Sequence, residues 1–165
     1  MKFSEFFAPK ENIYLDRKTL VVLRWIALIG QYGTISIVYF IFKFKLPLLY
    51  CSTIIFIGVL TNLYLQFQFK KNQLNNFIST FFLFYDLVQL SLLLYLTGGI
   101  TNPFSILLIV PAIVASTFLT LRSTLNLSVV TVGILLVLTI YNLPLPHYGE
   151  LHFHVPDTYL YTLPI

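Results

Sequence analysis

Charge is what this sequence has least of. Only 10% of its 165 residues are Asp, Glu, Lys or Arg, against about a quarter in a soluble domain, so a solvated globular surface is excluded. The single cysteine, Cys51, rules out a disulfide framework and a cysteine-based metal centre. Lying inside an apolar run, it reads as a small buried hydrophobe. The N-terminal stretch lacks the pattern of a cleavable signal: Glu5, Glu11 and Asp16 interrupt its basic residues, and no short apolar core precedes a small-residue cleavage site. The first apolar run is therefore expected to remain as an anchor. No internal repeat or low-complexity segment is evident.

What the chain has instead is apolar length. It is 58% hydrophobic and 17% aromatic, with a mean hydropathy of +0.85, the makeup of an all-α, polytopic transmembrane bundle. Five spans are expected, at about residues 20–42, 48–67, 77–96, 104–121 and 125–141. At about 1.5 Å per residue each covers about 25 to 35 Å, enough for a hydrocarbon core of about 30 Å. A polar stretch from Asn142 to Asp157 follows, and a sixth span begins near Tyr159. Residues 1–19 form an N-terminal arm, entered into the first span through Asp16 as a candidate N-cap, and residues 20–165 the membrane domain. In the arm, Phe3, Phe6 and Phe7 make an apolar stripe suited to an interfacial helix, to core packing or to a disordered arm alike.

The net charge of +4 is better explained by topology than by nucleic acid, because the basic residues sit between the apolar segments. Lys2, Lys10, Arg17, Lys18, Arg24, Lys70, Lys71 and Arg122 fall on one side and only Lys43 and Lys45 on the other. Lys and Arg resist translocation, which makes the N-terminus cytoplasmic. A completed sixth span would return the chain to the cytoplasm.

The turn Gly98-Gly99-Ile100-Thr101-Asn102-Pro103-Phe104 then faces outward. A glycine pair ends one helix in a left-handed cap, and Asn followed by Pro starts the next as N-cap and first helical residue. The glycines also permit close approach of a ligand to the backbone. The amides of Phe104, Ser105 and Ile106 are expected to point outward at the positive end of a helix dipole, beside the flat face of Phe104. A planar, carbonyl-bearing, lipid-soluble molecule such as a quinone fits that arrangement. Cap chemistry alone explains nearly every one of these residues as well.

The run from Phe84 to Phe104, with Tyr85-Asp86-Leu87-Val88-Gln89-Leu90 leading into Leu94-Tyr95-Leu96-Thr97-Gly98-Gly99 and on to Asn102-Pro103-Phe104, resembles the third span and outward loop of RegB/PrrB-type redox-sensing histidine kinases. Leu20 to Ala27, Leu121 to Leu125 between the fourth and fifth spans, and Leu143-Pro144-Leu145-Pro146 agree with it. The resemblance implies a quinone-sensing input module in a bacterial inner membrane, with ubiquinone bound at Gly98, Gly99, Asn102, Pro103 and Phe104. It also implies a homodimer that reads the quinone pool and addresses a response regulator through a kinase part. That part, with its phosphorylated His, nearby reactive Cys and ATP-binding domain, has no counterpart in this sequence. Cys51 does not match the family's redox Cys, and the end at Ile165 is expected to reflect a fragment, inactive as a kinase by itself. The alternatives from other classes are a piece of a transporter or membrane enzyme handling an apolar substrate, and a plain membrane anchor.

Asp86 is the one acidic residue inside a span, and an ionised carboxylate there needs a partner. Gln89 lies one turn outward on the same face and Arg24 enters from the first span. The three form either an interhelical clamp or a proton-linked relay below the hairpin. Gln31 and Asn62 are expected to bond to neighbouring helices, and Pro111 to kink the fourth span. His147, Glu150, His152 and His154 are interfacial polar residues or a metal site, without the spacing that marks a zinc motif.

Overall fold

The computed structural model describes residues 15–68, 73–141 and 143. The expectations for the phenylalanine stripe, the outward histidines and the sixth span lie outside these residues. The described chain is all-helical. Helix α1 (Arg17–Ser36) continues into a π-helical turn, Ile37–Ile41; α2 spans Leu48–Gln68 and α3 Asn76–Leu96. After a 3₁₀ turn at Gly99–Thr101, a 3₁₀ segment Pro103–Ile109 runs into α4 (Val110–Phe118), and α5 (Leu121–Ile140) follows. Lipid offers the backbone no hydrogen-bond partner, so each apolar run closes its bonds within itself as a helix. The hydroxyls carried through the membrane obey the same rule: Thr80, Thr131 and Thr139 each bond to the carbonyl four residues back, at 2.7, 2.8 and 2.8 Å.

Among the described residues, four helices are long and apolar enough to cross a membrane, and only 22–39% of the residues in their most apolar windows are buried within the protein. Most of their side chains are left for lipid or other protein. The expected fourth span is a shorter apolar helix, Pro103–Phe118, and not a uniform one: it has seven 3₁₀ residues followed by nine α residues. Pro111 is the physical reason. It has no N–H for the Leu107 carbonyl, which accepts instead from Val110, three residues on. The expected kink is thus expressed as a change of helix type. The steeper 3₁₀ rise lets this short segment reach about 28 Å.

The fifth helix begins at Leu121, four residues before the expected start, so Leu121 to Thr124 form its first turn rather than a connecting loop. A polar knot fixes that start. The Asn76 side chain accepts from the Thr120 amide (3.1 Å) and donates to the Ser123 hydroxyl (2.8 Å), which Thr80 also approaches (2.9 Å). At the other end, Asp16 holds the N-cap position of α1 without making a capping side-chain bond.

Helix α3 is the centre of the bundle. It supplies Phe82 and Leu83 to one cluster with Leu20, Leu65, Ala115 and Leu127. Leu93 joins Leu28, Ile35, Cys51 and Ile55 in a second. Leu87, Leu90 and Leu94 pack with Leu108 and Leu138 on the side of the last two helices. Cys51 is fully buried in this packing.

Gly58 sets how closely α2 approaches its neighbours. A Cβ there would stand 2.6 Å from Gln89 Nε2 and 2.7 Å from Leu28 Cδ2, whereas Gly30 and Gly133 have open space. Gly58→Ala is expected to destabilise the bundle by about 1–3 kcal/mol through overpacking. Gly30→Ala and Gly133→Ala are expected to leave stability unchanged or slightly raised, as read by unfolding in mixed micelles followed by circular dichroism.

Candidate functional site

The hairpin between α3 and the fourth crossing is built as its residue types demand. Gly98 and Gly99 adopt φ of 110° and 59°, conformations that glycine takes without strain, and they turn the chain at the end of α3. Asn102 is the N-cap, with its Oδ1 accepting from the Phe104 amide at 3.0 Å, and Pro103 is the first helical residue. The other end of the Asn102 amide reaches back across the turn. Its Nδ2 donates to the Thr97 hydroxyl at 2.8 Å and to the Thr97 carbonyl at 3.2 Å. Thr101 closes the middle with a 2.6 Å bond to the Gly98 carbonyl. Sequence reasoning missed Thr97, although its hydroxyl beside a glycine pair was a signal that the turn needs a polar brace.

Two features of the expected ligand site are corrected by this geometry. The amides of Phe104 and Ser105 are not free: the first is held by the Asn102 side chain and the second by the Asn102 carbonyl at 2.9 Å. Gly98 and Gly99 are buried by their own chain rather than opened to a visitor. What the hairpin exposes is Pro103 and the ring of Phe104, the latter 43% accessible. The amide of Leu143 bonds to the Tyr95 carbonyl at 3.0 Å, holding the chain after α5 against this end of α3.

Deeper in the bundle, Arg24 and Asp86 meet. Arg24 Nε lies 2.9 Å from Asp86 Oδ1, with the arginine side chain 3% exposed and the carboxylate 24%. Nη2 of Arg24 donates to Thr61 Oγ1 at 2.9 Å, so one guanidinium ties α1 to both α2 and α3. Its remaining group, Nη1, is buried with no hydrogen-bond partner. The rings of Phe82 and Tyr85 face the guanidinium at 5.1 and 5.4 Å, a cation–π environment that offsets part of that loss.

Gln89 bonds not to this pair but to Gln31, with Nε2 donating to Oε1 at 3.2 Å across the notch left by Gly58. Asn62 donates to the Val21 carbonyl at 3.3 Å. Thr61 and Tyr85, unrecognised in sequence, complete the arginine's surroundings; each sits within one turn of a polar residue that had drawn notice.

An apolar helical bundle with a charged pair inside and a glycine-capped turn after α3 defines a multi-pass membrane domain. The chain belongs to the PilS-like transmembrane domain family, which it matches over residues 18–157. It is 36% identical over 129 residues to the sensor histidine kinase RegB of Cereibacter sphaeroides, an alignment covering 78% of this chain and 28% of that protein. The chain thus corresponds to little more than a quarter of that relative's length. No solved structure matches it.

Removing one partner of the ion pair leaves a buried charge, so Asp86→Leu is expected to cost about 3–5 kcal/mol. Asp86→Asn, whose amide oxygen can still accept from Nε, should cost less. Arg24→Leu combined with Asp86→Leu should recover most of the loss. A double-mutant cycle in micelles checks this, and additive single effects would contradict it.

Proposed function

We propose that the chain is the quinone-responsive membrane input module of a sensor histidine kinase, with its N-terminus cytoplasmic and the Gly98 to Phe104 hairpin on the outer face. The kinase relationship is supported by the family and by the similarity to RegB. The observation that carries the ligand reading is the exposed Phe104 ring on a rigid, fully braced turn. A quinone head would stack on Phe104 and Pro103, the apolar tail running along the fourth crossing into the bilayer. Recognition through the faces of these residues, rather than through free amides, is what the occupied hydrogen bonds favour.

Signal output would follow from the 3₁₀ segment that Pro103 begins. Long 3₁₀ runs are uncommon and often mark hinges. Converting Pro103–Ile109 to α-helix shortens it by about 0.5 Å per residue, or about 3.5 Å in all. A ligand that binds one form better shifts the population and draws α4 along its axis. In an intact homodimeric kinase that displacement would be passed to the cytoplasmic part and its response regulator.

Phe104→Ala is expected to weaken binding of a short-chain ubiquinone about fivefold, the equivalent of about 1 kcal/mol of ring stacking, with little change in the thermal midpoint. Asn102→Ala is expected to lower the midpoint as well, because it removes the cap. Fluorescence-quenching titration of purified chain checks this, and unchanged affinity in Phe104→Ala would move the site elsewhere. Orientation is tested in intact cells with a membrane-impermeant maleimide, which should label Lys45→Cys and spare Arg122→Cys, buried Cys51 remaining silent.

A further inference from the structure

The outer end of α1 departs from regular helix in a way that the membrane-spanning role does not require. After Ser36 the helix widens into the π turn Ile37–Ile41, with the Phe42 amide bonding to the Ile37 carbonyl and the Phe44 amide to the Val38 carbonyl, both at 3.2 Å. Lys43 then takes a φ of 54°, the one non-glycine residue with positive φ among those described. Glycine fills such a position without strain, so a lysine held there points to a use for its side chain. Short bonds from Leu46 to the Phe44 carbonyl (2.9 Å) and from Leu48 to the Leu46 carbonyl (2.8 Å) make the loop tight. The result is a cleft of about 470 Å³ lined by Tyr39, Phe40, Lys43, Phe44, Lys45 and Leu46.

The same two lysines are the exceptions in the charge distribution. Every other Lys and Arg belongs to the opposite end of the chain's topology, and basic residues on the sparsely charged side run against the usual bias. Neither has a carboxylate to answer it among the described residues. Asp16 stands at the far end of α1 and Asp86 is bonded to Arg24.

We propose that this cleft binds the headgroup of an anionic glycerophospholipid. Lys43 and Lys45 flank the phosphate, and Tyr39 and Phe40 bracket the glycerol backbone at the depth where aromatic rings favour the membrane interface. The acyl chains lie on the exposed Ile37, Ile41 and Phe42. Two lysines lining one cleft disfavour zwitterionic lipids, whose own cation would face them. The bound lipid would fasten the π turn, and with it the connection from α1 to α2.

The experiment uses the purified full chain in detergent, with equal amounts of phosphatidylglycerol and phosphatidylcholine, read by native mass spectrometry. Phosphatidylglycerol should be retained preferentially by about fivefold for each lysine engaged. Lys43→Gly with Lys45→Gln should bring the two lipids to parity. Lys43→Gly alone relieves the backbone, so its thermal midpoint should hold or rise while lipid preference falls, which separates binding from folding. Arg122→Gln, at the opposite end, should leave the preference intact. Parity in the unaltered chain, undiminished preference in the double variant, or an equal loss in Arg122→Gln overturns the proposal. So does displacement of the lipid by an equal concentration of inorganic phosphate that itself binds with the same lysine dependence, which would assign the cleft to free phosphate.

Discussion

A guanidinium and a carboxylate buried in an apolar bundle fix the geometry of everything around them. Arg24 is nearly inaccessible and has its Nε on Asp86 and its Nη2 on Thr61, so α1, α2 and α3 are fastened at one level and one rotation. In lipid the apolar faces of helices gain little by meeting one another, and small residues and polar contacts decide register instead. The contacts above and below repeat that logic. Asn62 holds the Val21 carbonyl on one side of the pair, and Gln89 crosses to Gln31 past the bare backbone of Gly58 on the other. Each contact is modest, but together they set the level and rotation of α3 against α1 and α2.

Because α3 is fixed, the hairpin at its end is fixed too. That turn spends its polar groups on itself: Asn102 uses its oxygen on Phe104 and its nitrogen on Thr97, and Thr101 and Ser105 return to the turn's carbonyls. A turn so completely satisfied has few ways to rearrange, and pre-organisation would help a binding surface by reducing the ordering cost. It also limits the chemistry on offer. A ligand there would meet ring and pyrrolidine faces, and hydrogen-bond readout would be confined to whatever edge of Asn102 and Thr101 remains in reach.

The four long apolar helices, the glycine cap and the Asn102–Pro103 helix start were legible in the sequence because each depends on local chemistry: run length, φ preference, a side chain reaching two residues on. The meeting of Arg24 with Asp86 was legible for another reason, since a charge in an apolar run demands a partner and few were on offer. What the sequence concealed depends on contacts between segments. Nothing near Leu121 announces an early helix start; the signal is Asn76, more than forty residues away. Gly58 looks like any glycine in an apolar run until Gln89 and Leu28 are placed against it. The 3₁₀ character of Pro103–Ile109 was half visible, as Pro111 announces a disturbed helix without saying whether it bends or rewinds.

The magnitudes constrain how such a module would signal. Stacking on one ring contributes about 1 kcal/mol, and a ligand shifts an equilibrium only by its differential affinity for the two states. Even if all of that stacking belonged to one form of the 3₁₀ segment, occupancy would change the ratio of the two forms about fivefold. An all-or-none switch between 1:99 and 99:1 needs about 5.5 kcal/mol. A single hairpin contact therefore yields a graded response, unless the ligand makes further state-dependent contacts along the fourth crossing or two protomers move together. The exposed apolar surface of the 3₁₀ segment, with Ile106, Leu107 and Ile109 open to lipid or partner, is where such additional differential contact is available. The physics thus points away from the turn as a self-sufficient switch and towards the whole length of Pro103–Ile109 as the element whose equilibrium a bound quinone would have to bias.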